Sequence, residues 1–245
     1  MSKPHGFTYD REAAAHYARH RGVEPTVLER LIEGGSVGAG TRVLDIGCGT
    51  GDYIIALQET TGCAAWGVDI SDEMLAYARK RHTAVAFAFG TADDLDFADA
   101  SLDFVFSVDV IHHLGSPHAH FAEAHRMLAP GGSICTVTHS HEMLSSGAVL
   151  ARYFPETIPA NRARYPAIAD LVAQMRAIGF DEIDEDEAAY EVEVADAALY
   201  AAKANSTLHL ISDEEFRRGL ARLEADLAEG PVRGTRRYLY LWGTK

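Results

Sequence analysis

Short apolar runs alternate with amphipathic segments along the first half of the chain. Runs of strand length cover residues 42–46, 63–69, 85–89, 104–108 and 133–138. Helical spacing is found at residues 51–60, after the capping residue Ser71, and at residues 117–127. Parallel strands need a crossover between them, and a helix is the usual crossover. The pattern therefore predicts an α/β fold with a doubly wound, mostly parallel sheet.

The pattern is looser on both sides of this region. Two helices are predicted before the first strand, at residues 11–21 and from about Pro25. After His139 we predict helices at 142–153 and 167–178 and mostly helix at 197–227. Strands are predicted at 187–194 and 236–242, and an irregular segment with two prolines at 154–165. We therefore expect a single domain over residues 1–245, with N-terminal helices in 1–36, a core at 40–140, and insertions at 141–165 and 196–230.

The composition is that of an ordinary globular protein, with 47% hydrophobic and 24% charged residues. Lys and Arg total 22 against 36 Asp and Glu, and the net charge of -14 repels polyanions, so nucleic acid is not an expected partner. No apolar run is long enough to cross a membrane and the first residues do not resemble a signal peptide, so we expect a cytoplasmic protein. The cysteines Cys48, Cys63 and Cys135 lack metal-site spacing and are predicted to be buried.

A glycine-rich turn follows the first predicted strand. Gly47, Gly49 and Gly51 let the backbone turn tightly and approach a ligand closely. A dinucleotide site has the spacing G-x-G-x-x-G and a pyrophosphate at the helix N-terminus. Here the spacing is G-x-G-x-G, and the carboxylates of Asp45 and Asp52 flank the turn, where they would repel a pyrophosphate and attract a cation. S-Adenosyl-L-methionine carries an ammonium and a sulfonium group, and the turn predicts this cofactor.

Two further acids follow the next two strands. Asp69 ends the second strand, where a carboxylate can accept hydrogen bonds from both hydroxyls of a ribose. Asp93 follows the third strand, where the amino group of an adenine needs an acceptor. Singly, Asp45 could be a capping acid, Asp69 a turn residue and Asp93 a surface acid. Because the carboxyl ends of parallel strands share one edge of the sheet, the three acids and the glycine turn together predict one ligand site.

At these residues the sequence resembles the class I S-adenosylmethionine-dependent methyltransferases, particularly the small-molecule group that includes the ubiquinone and menaquinone biosynthesis methyltransferases. The resemblance covers about residues 40–140 and is carried by residues 43–51, 67–71, 92–93, 101–114 and 126–132. It implies a seven-stranded, Rossmann-like sheet whose seventh strand is antiparallel and inserted beside the fifth, a place that residues 236–242 can fill. The motifs indicate the cofactor specifically but give almost no information about the acceptor.

The resemblance also implies contacts between individual residues and the cofactor. Residues 1–36 would close over the site as a lid, and the two insertions would cap the acceptor side. Asp69 would contact the ribose, and Tyr17 would contact the cofactor from the lid. The residues that would contact the adenine are Ile70, Met74, Ala92 and Asp93. The residues that would contact the methionine part are Asp45, Gly47, Cys48, Gly49, Gly51, Ser107 and Val108.

Methyl transfer from a sulfonium is an in-line displacement with a good leaving group, so the enzyme mainly supplies proximity and orientation. A base is needed only when the attacking atom carries a proton. His112 and His113 follow the fourth strand, beside the expected methyl group, and His112 is the candidate catalytic base. The favoured alternative is that the pair packs and hydrogen-bonds at the strand end.

Two other groups of residues leave alternatives open. Five histidines cluster along the chain and could ligate a metal, although no ligand spacing recurs and no metal is predicted; they are His118, His120, His125, His139 and His141. Five residues near the insertions could line an acceptor pocket or form the insertions' own core; they are Tyr153, Phe154, Arg164, Tyr165 and Tyr200.

Two competing functions are weighed against a methyltransferase. A nicotinamide-dependent oxidoreductase is disfavoured by Asp45 and Asp52 at the phosphate position. A non-catalytic module that binds S-adenosylmethionine would keep the same glycine turn. We expect a small-molecule acceptor, no membrane partner, and a monomer or homodimer.

Overall fold

A seven-stranded sheet is the central element of the computed structural model, which describes residues 22–146 and 148–245. The strands are β1 (Arg42–Ile46), β2 (Ala64–Asp69), β3 (Val85–Phe89), β4 (Leu102–Val108), β5 (Leu128–Thr138), β6 (Asp181–Val194) and β7 (Val232–Thr244). Their order across the sheet is β3-β2-β1-β4-β5-β7-β6. The pairs β1/β2, β1/β4, β2/β3 and β4/β5 are parallel. The predicted seven-stranded, mostly parallel sheet is confirmed.

The seventh strand is inserted between β5 and β6. The Gly131 N–H donates to the carbonyl of Lys245 at 2.7 Å, and the Lys245 N–H donates to the carbonyl of Gly132 at 2.9 Å. These bonds join the far end of β7 to the early part of β5, so the two strands run in opposite directions. The predicted antiparallel strand beside β5 is confirmed.

Nine α-helices are found among the described residues. They are α1 (Pro25–Gly34), α2 (Asp52–Thr61), α3 (Asp72–Arg81), α4 (Pro117–Met127), α5 (Val149–Tyr153), α6 (Thr157–Arg164), α7 (Ile168–Ile178), α8 (Ala198–Ala201) and α9 (Asp213–Glu229). Serine side chains cap α3, α4 and α9: Ser71 Oγ accepts from the Met74 N–H, Ser116 Oγ accepts from the Ala119 N–H, and Ser212 forms a capping box with Glu215. None of these helices is both long and apolar enough to cross a bilayer.

Two predictions for the second half of the chain are wrong. Residues 154–165 are predicted to be irregular but contain α6. Pro159 is the third residue of that helix, where its missing N–H removes no intrahelical bond. The strand predicted from residue 187 begins at Asp181. β6 lies at the edge of the sheet, where most of its acids are exposed to water and their charge opposes pairing with another chain.

The described residues form two compact units. The first unit contains residues 22–138, Ile168–Asp186 and Tyr240–Lys245, and it holds β1 to β5 with α1 to α4 and α7. The second contains His139–Ala167, apart from Gly147, and Glu187–Leu239. It includes both predicted insertions, 141–165 and 196–230.

Candidate functional site

Three glycines shape the loop between β1 and α2. Gly47, Gly49 and Gly51 have φ angles of 75°, 54° and 79°, which residues with a side chain adopt only at a cost. A Cβ atom on Gly47 would lie 2.5 Å from Cγ2 of Val110, and one on Gly51 would lie 2.9 Å from Cζ of Phe87. The loop therefore requires glycine for its backbone conformation and, at Gly47 and Gly51, for its packing as well.

Four backbone N–H groups of this loop donate hydrogen bonds inside the protein. Their acceptors are the Val68 carbonyl for Gly47 (2.8 Å) and Cys48 (2.9 Å), Asp69 Oδ2 for Gly49 (2.8 Å), and the Cys48 carbonyl for Gly51 (2.8 Å). A pyrophosphate site needs such groups to point at the ligand. These four groups are therefore not available to a pyrophosphate, which agrees with the spacing of the loop's glycines.

Asp45 supplies a buried acid at the end of β1, with 3% of its surface exposed. Burial raises the pKa of Asp45 well above its usual value, and the nearby carboxylates of Asp69 and Asp52 raise it further. A positively charged ligand beside it would favour the ionised form of this carboxylate. The electrostatics of the site therefore favour a cation, as the sequence predicts.

The second flanking acid, Asp52, has its own counter-charge. Asp52 pairs with the guanidinium of Arg81, which also donates to the Thr50 carbonyl at 3.0 Å. The Thr50 hydroxyl donates to Asp52 Oδ2 at 2.7 Å. The interpretation that both flanking acids attract the ligand is thus corrected, since Arg81 neutralises Asp52. Arg81 is 29 residues from Asp52, and no local pattern indicates this pair.

Asp69 is fixed at the end of β2 by two backbone donors. Its Oδ2 accepts from the Gly49 N–H and its Oδ1 from the Ser71 N–H, both at 2.8 Å. Burial raises the pKa of Asp69, and the bonds from Ser71, Gly49 and Ile70 oppose that rise. A carboxylate oxygen can accept more than one hydrogen bond, so each oxygen keeps capacity for a ligand hydroxyl. The geometry thus suits the predicted contact with a ribose.

The residues predicted for the adenine differ in exposure. Ile70 follows β2 and is 56% exposed, which is unusual for a large apolar side chain. Asp93 is exposed and Ala92 half-buried in the loop after β3. Met74 is only 2% exposed, so its side chain lies in the core of the unit.

The side chain of Cys48 is buried. Its sulfur packs against Gly67, where an added Cβ atom would lie 2.9 Å from the Cys48 sulfur. Cys63 and Cys135 are buried as well. Tyr17 and the rest of the predicted lid before residue 22 lie outside the described residues.

β4 ends with Ser107, which is buried, and Val108, which is half-buried. His112 lies in the short 3-10 turn Ile111–His113 and is 5% exposed. Its ring centroid is 4.1 Å from that of His113. This burial supports the packing role, while the catalytic role of His112 stays a prediction.

The remaining histidines do not form a metal cluster in the described parts of the chain, where no group of three or more His, Cys, Asp or Glu could hold an ion. His139 Nδ1 lies 2.9 Å from the Arg237 carbonyl, and His141 Nε2 lies 2.8 Å from the Tyr165 carbonyl. A carbonyl only accepts, so each of these nitrogens carries the proton and the other nitrogen of each ring is the acceptor.

Three of the five residues proposed for an acceptor pocket form the core of the second unit. Tyr153, Phe154 and Tyr200 belong to one buried apolar cluster, in which the rings of Phe154 and Tyr200 stack with centroids 5.9 Å apart. Tyr165 is buried and Arg164 is half-buried. Tyr153, Phe154 and Tyr200 therefore form the core of the insertions, which is one of the two alternatives that the sequence leaves open.

The acid at Asp45 leads to a prediction about pH. Its pKa is raised in the folded protein, so the unfolded chain releases this proton at lower pH than the folded chain. The folded state then holds more protons in the intermediate range, and its stability falls as the pH rises through that range. We expect the ligand-free protein to lose stability through this group as the pH rises above the ordinary aspartate pKa of about 4. Urea titrations at several pH values should show a smaller loss in Asp45→Asn, and an identical slope in both proteins would contradict the assignment.

Comparisons with known proteins agree with this site. Residues 44–136 match the methyltransferase domain family. The malonyl-[acyl-carrier protein] O-methyltransferase of Pectobacterium atrosepticum is 31% identical over 162 residues, which are 66% of this chain and 64% of that protein. The demethylmenaquinone methyltransferase of Chlorobaculum parvum is 35% identical over 37% of this chain and 38% of that protein. The matched part thus spans less than two thirds of these relatives.

A solved structure with the same fold is phosphoethanolamine N-methyltransferase 2 of Haemonchus contortus in complex with S-adenosyl-L-methionine. It matches 97% of this chain and 57% of that one with a TM-score of 0.65 at 20% identity, which shows the fold alone. The sheet order, the glycine loop with its acids and the family match agree with one another. By its fold and by the family match over residues 44–136, the chain is similar to the class I S-adenosylmethionine-dependent methyltransferases.

Proposed function

We propose that this protein transfers the methyl group of S-adenosyl-L-methionine to a small-molecule acceptor by in-line displacement. One observation carries the proposal: the glycine loop uses four of its N–H groups internally, and the carboxylates of Asp45 and Asp69 lie beside it at the ends of β1 and β2. This site repels phosphates and suits a ligand that carries an ammonium, a sulfonium and a ribose. The net charge of -14 repels nucleic acid and so supports a small-molecule acceptor. We also propose a cytoplasmic location.

We assign different residues to different parts of the cofactor. We assign the charged methionine part to Asp45 and to the backbone of the glycine loop, near the end of β4 at Ser107 and Val108. Asp69 would accept from both ribose hydroxyls. Ile70 would lie against the adenine ring, and Asp93 would accept from its amino group. Each contact fixes one part of the cofactor, and together they hold the methyl group for attack.

The acceptor atom in this proposal is an oxygen. The Pectobacterium relative is named as an O-methyltransferase acting on a malonyl group. A carboxylate is ionised at neutral pH, so its methylation needs no base. A carboxylate acceptor would therefore be compatible with a His112 that packs at the end of β4, whereas a hydroxyl acceptor would need a base.

His112→Ala distinguishes these two roles. If His112 is the base, we expect turnover to fall about a hundredfold, because a positioned base contributes at least that much, while cofactor affinity stays within a few-fold. The measurement is the initial rate of methyl transfer together with calorimetry of S-adenosylhomocysteine binding. An unaltered rate would return His112 to the packing role.

Methyl transfer itself is tested with tritium-labelled cofactor and a panel of small carboxylic acids, phenols and alcohols. We expect label in at least one acceptor, and Asp69→Ala should abolish the signal. Tight binding of S-adenosylhomocysteine without transfer to any acceptor or extract component would favour the non-catalytic binding module.

A further inference from the structure

His120, the fourth residue of α4, carries an imidazole that is wholly buried, with 0% of its surface exposed. Burial lowers the pKa of His120 to about 4, although the Ala92 backbone and the Asp93 carboxylate act in the opposite direction. The ring is therefore neutral near pH 7, with one N–H donor and one acceptor nitrogen. Within residues 22–146 and 148–245, neither ring nitrogen makes a hydrogen bond of ordinary geometry. Such an unmet buried donor is costly and needs an explanation.

The same face of α4 holds the loop that follows β3. Glu123 and Arg126 come three and six residues after His120, so the three side chains lie along one side of the helix. Glu123 Oε1 accepts from the Leu95 N–H at 3.0 Å. Arg126 donates to the carbonyls of Leu95 at 3.2 Å and Phe97 at 2.8 Å. Two of the three side chains therefore fix residues 95–97.

His120 continues this row toward the part of the loop that contains Asp93. Glu123 also pairs with Arg126 at 2.7 Å, so the two side chains that hold residues 95–97 also hold each other. The Ala92 carbonyl acts on the ring as an acceptor, but the pair does not reach hydrogen-bond geometry. A small shift of residues 91–94 relative to α4 would complete this hydrogen bond and satisfy the buried donor.

We propose that His120 is the positioning residue for adenine recognition, donating from its ring to the Ala92 carbonyl and thereby directing the Asp93 carboxylate at the adenine amino group. This inference rests on the proposed function, in which Asp93 binds that group. A ligand that engages Asp93 would hold the loop in the position where the hydrogen bond between His120 and Ala92 also forms. His120 thus increases the preference for a purine with an amino group, although it does not touch the ligand.

Hypoxanthine is the informative comparison, because it has an oxygen where adenine has the amino group. That oxygen accepts hydrogen bonds and repels the carboxylate of Asp93. S-Inosylhomocysteine is therefore expected to bind more weakly than S-adenosylhomocysteine. The ratio of the two dissociation constants measures how well Asp93 is directed, and a general loss of stability does not change it.

The experiment is calorimetric titration of both ligands into the wild type and the variants His120→Leu, His120→Gln and Asp93→Ala. We expect His120→Leu to reduce the ratio about tenfold, as for the loss of one hydrogen bond, mainly through weaker S-adenosylhomocysteine binding. His120→Gln keeps an N–H donor and should retain more of the ratio than His120→Leu. The matched control is His118→Leu, which removes an exposed histidine from the same helix and should leave the ratio unchanged.

The outcomes separate the inference from the proposed function. A wild type that fails to bind S-adenosylhomocysteine would refute the proposed function. A ratio that falls in Asp93→Ala but not in His120→Leu would overturn the role of His120 and leave the function intact. Should His120→Leu fail to fold, His120→Gln decides, since a ratio like that of Asp93→Ala despite its donor would contradict the proposal. Equal affinity of the wild type for both ligands would refute the adenine assignment and this inference with it.

Discussion

Replacing Asp69 with alanine is expected to weaken S-adenosylhomocysteine binding by about a hundredfold or more. Two charge-assisted hydrogen bonds to ribose hydroxyls would be lost, each worth about 1.5 to 3 kcal/mol. The structure adds a second cause, because Asp69 also accepts from the N–H groups of Gly49 and Ser71. Without the carboxylate, the glycine loop and the start of α3 lose their common acceptor. Isothermal titration calorimetry measures the change.

Two companion variants separate these causes. Asp69→Asn keeps one carbonyl oxygen and should fall between the wild type and Asp69→Ala. Asp72→Ala removes an exposed acid three residues further along the chain, in the first turn of α3, and should change the affinity only a few-fold. An affinity in Asp69→Ala within a few-fold of the wild type would contradict the assignment of the ribose to this residue.

Replacing Gly47 with alanine is expected to destabilise the protein by about 3 kcal/mol and to abolish measurable cofactor binding. The φ of 75° costs an alanine about 1–2 kcal/mol. The added methyl group would also lie 2.5 Å from Val110, and such overpacking costs about 1–3 kcal/mol. For a chain of this size, the loss lowers the melting temperature by roughly 10 °C.

Gly40→Ala is the matched control in the turn before β1. Gly40 is not among the glycines with positive φ, and a Cβ there meets no atom within 4 Å. Its melting temperature and its affinity should stay close to those of the wild type. Equal effects of the two substitutions, measured by thermal unfolding and calorimetry, would show that the special backbone and packing of Gly47 do not matter.

The sheet could be predicted from the sequence where the signal is local. The runs at 42–46 and 85–89 and the helix at 117–127 coincide with β1, β3 and α4 because each has its own apolar pattern and boundaries. β5 begins at Leu128, five residues before its predicted start. Its first residues, which include Gly131 and Gly132, have the composition of a turn and pair with Lys245, more than 100 residues away. Such a pairing leaves no local pattern.

The acids of the site could be predicted because each follows a strand, and strand ends meet at one edge of a parallel sheet. The groups that surround these acids could not be predicted from the sequence. Arg81 compensates Asp52 from the end of another helix, and the loop's own N–H groups are used by Val68 and Asp69. His120 is one of several histidines in the sequence, and only the packing of α4 against the loop after β3 distinguishes it.

The central claim is that the acidic glycine loop binds S-adenosyl-L-methionine rather than a dinucleotide. Calorimetric titration of the wild-type protein with S-adenosyl-L-methionine, and separately with NAD, tests it most directly. We predict saturable binding of one S-adenosyl-L-methionine per chain and no detectable binding of NAD. Binding of NAD with similar or higher affinity, or no binding of S-adenosyl-L-methionine, would contradict the account.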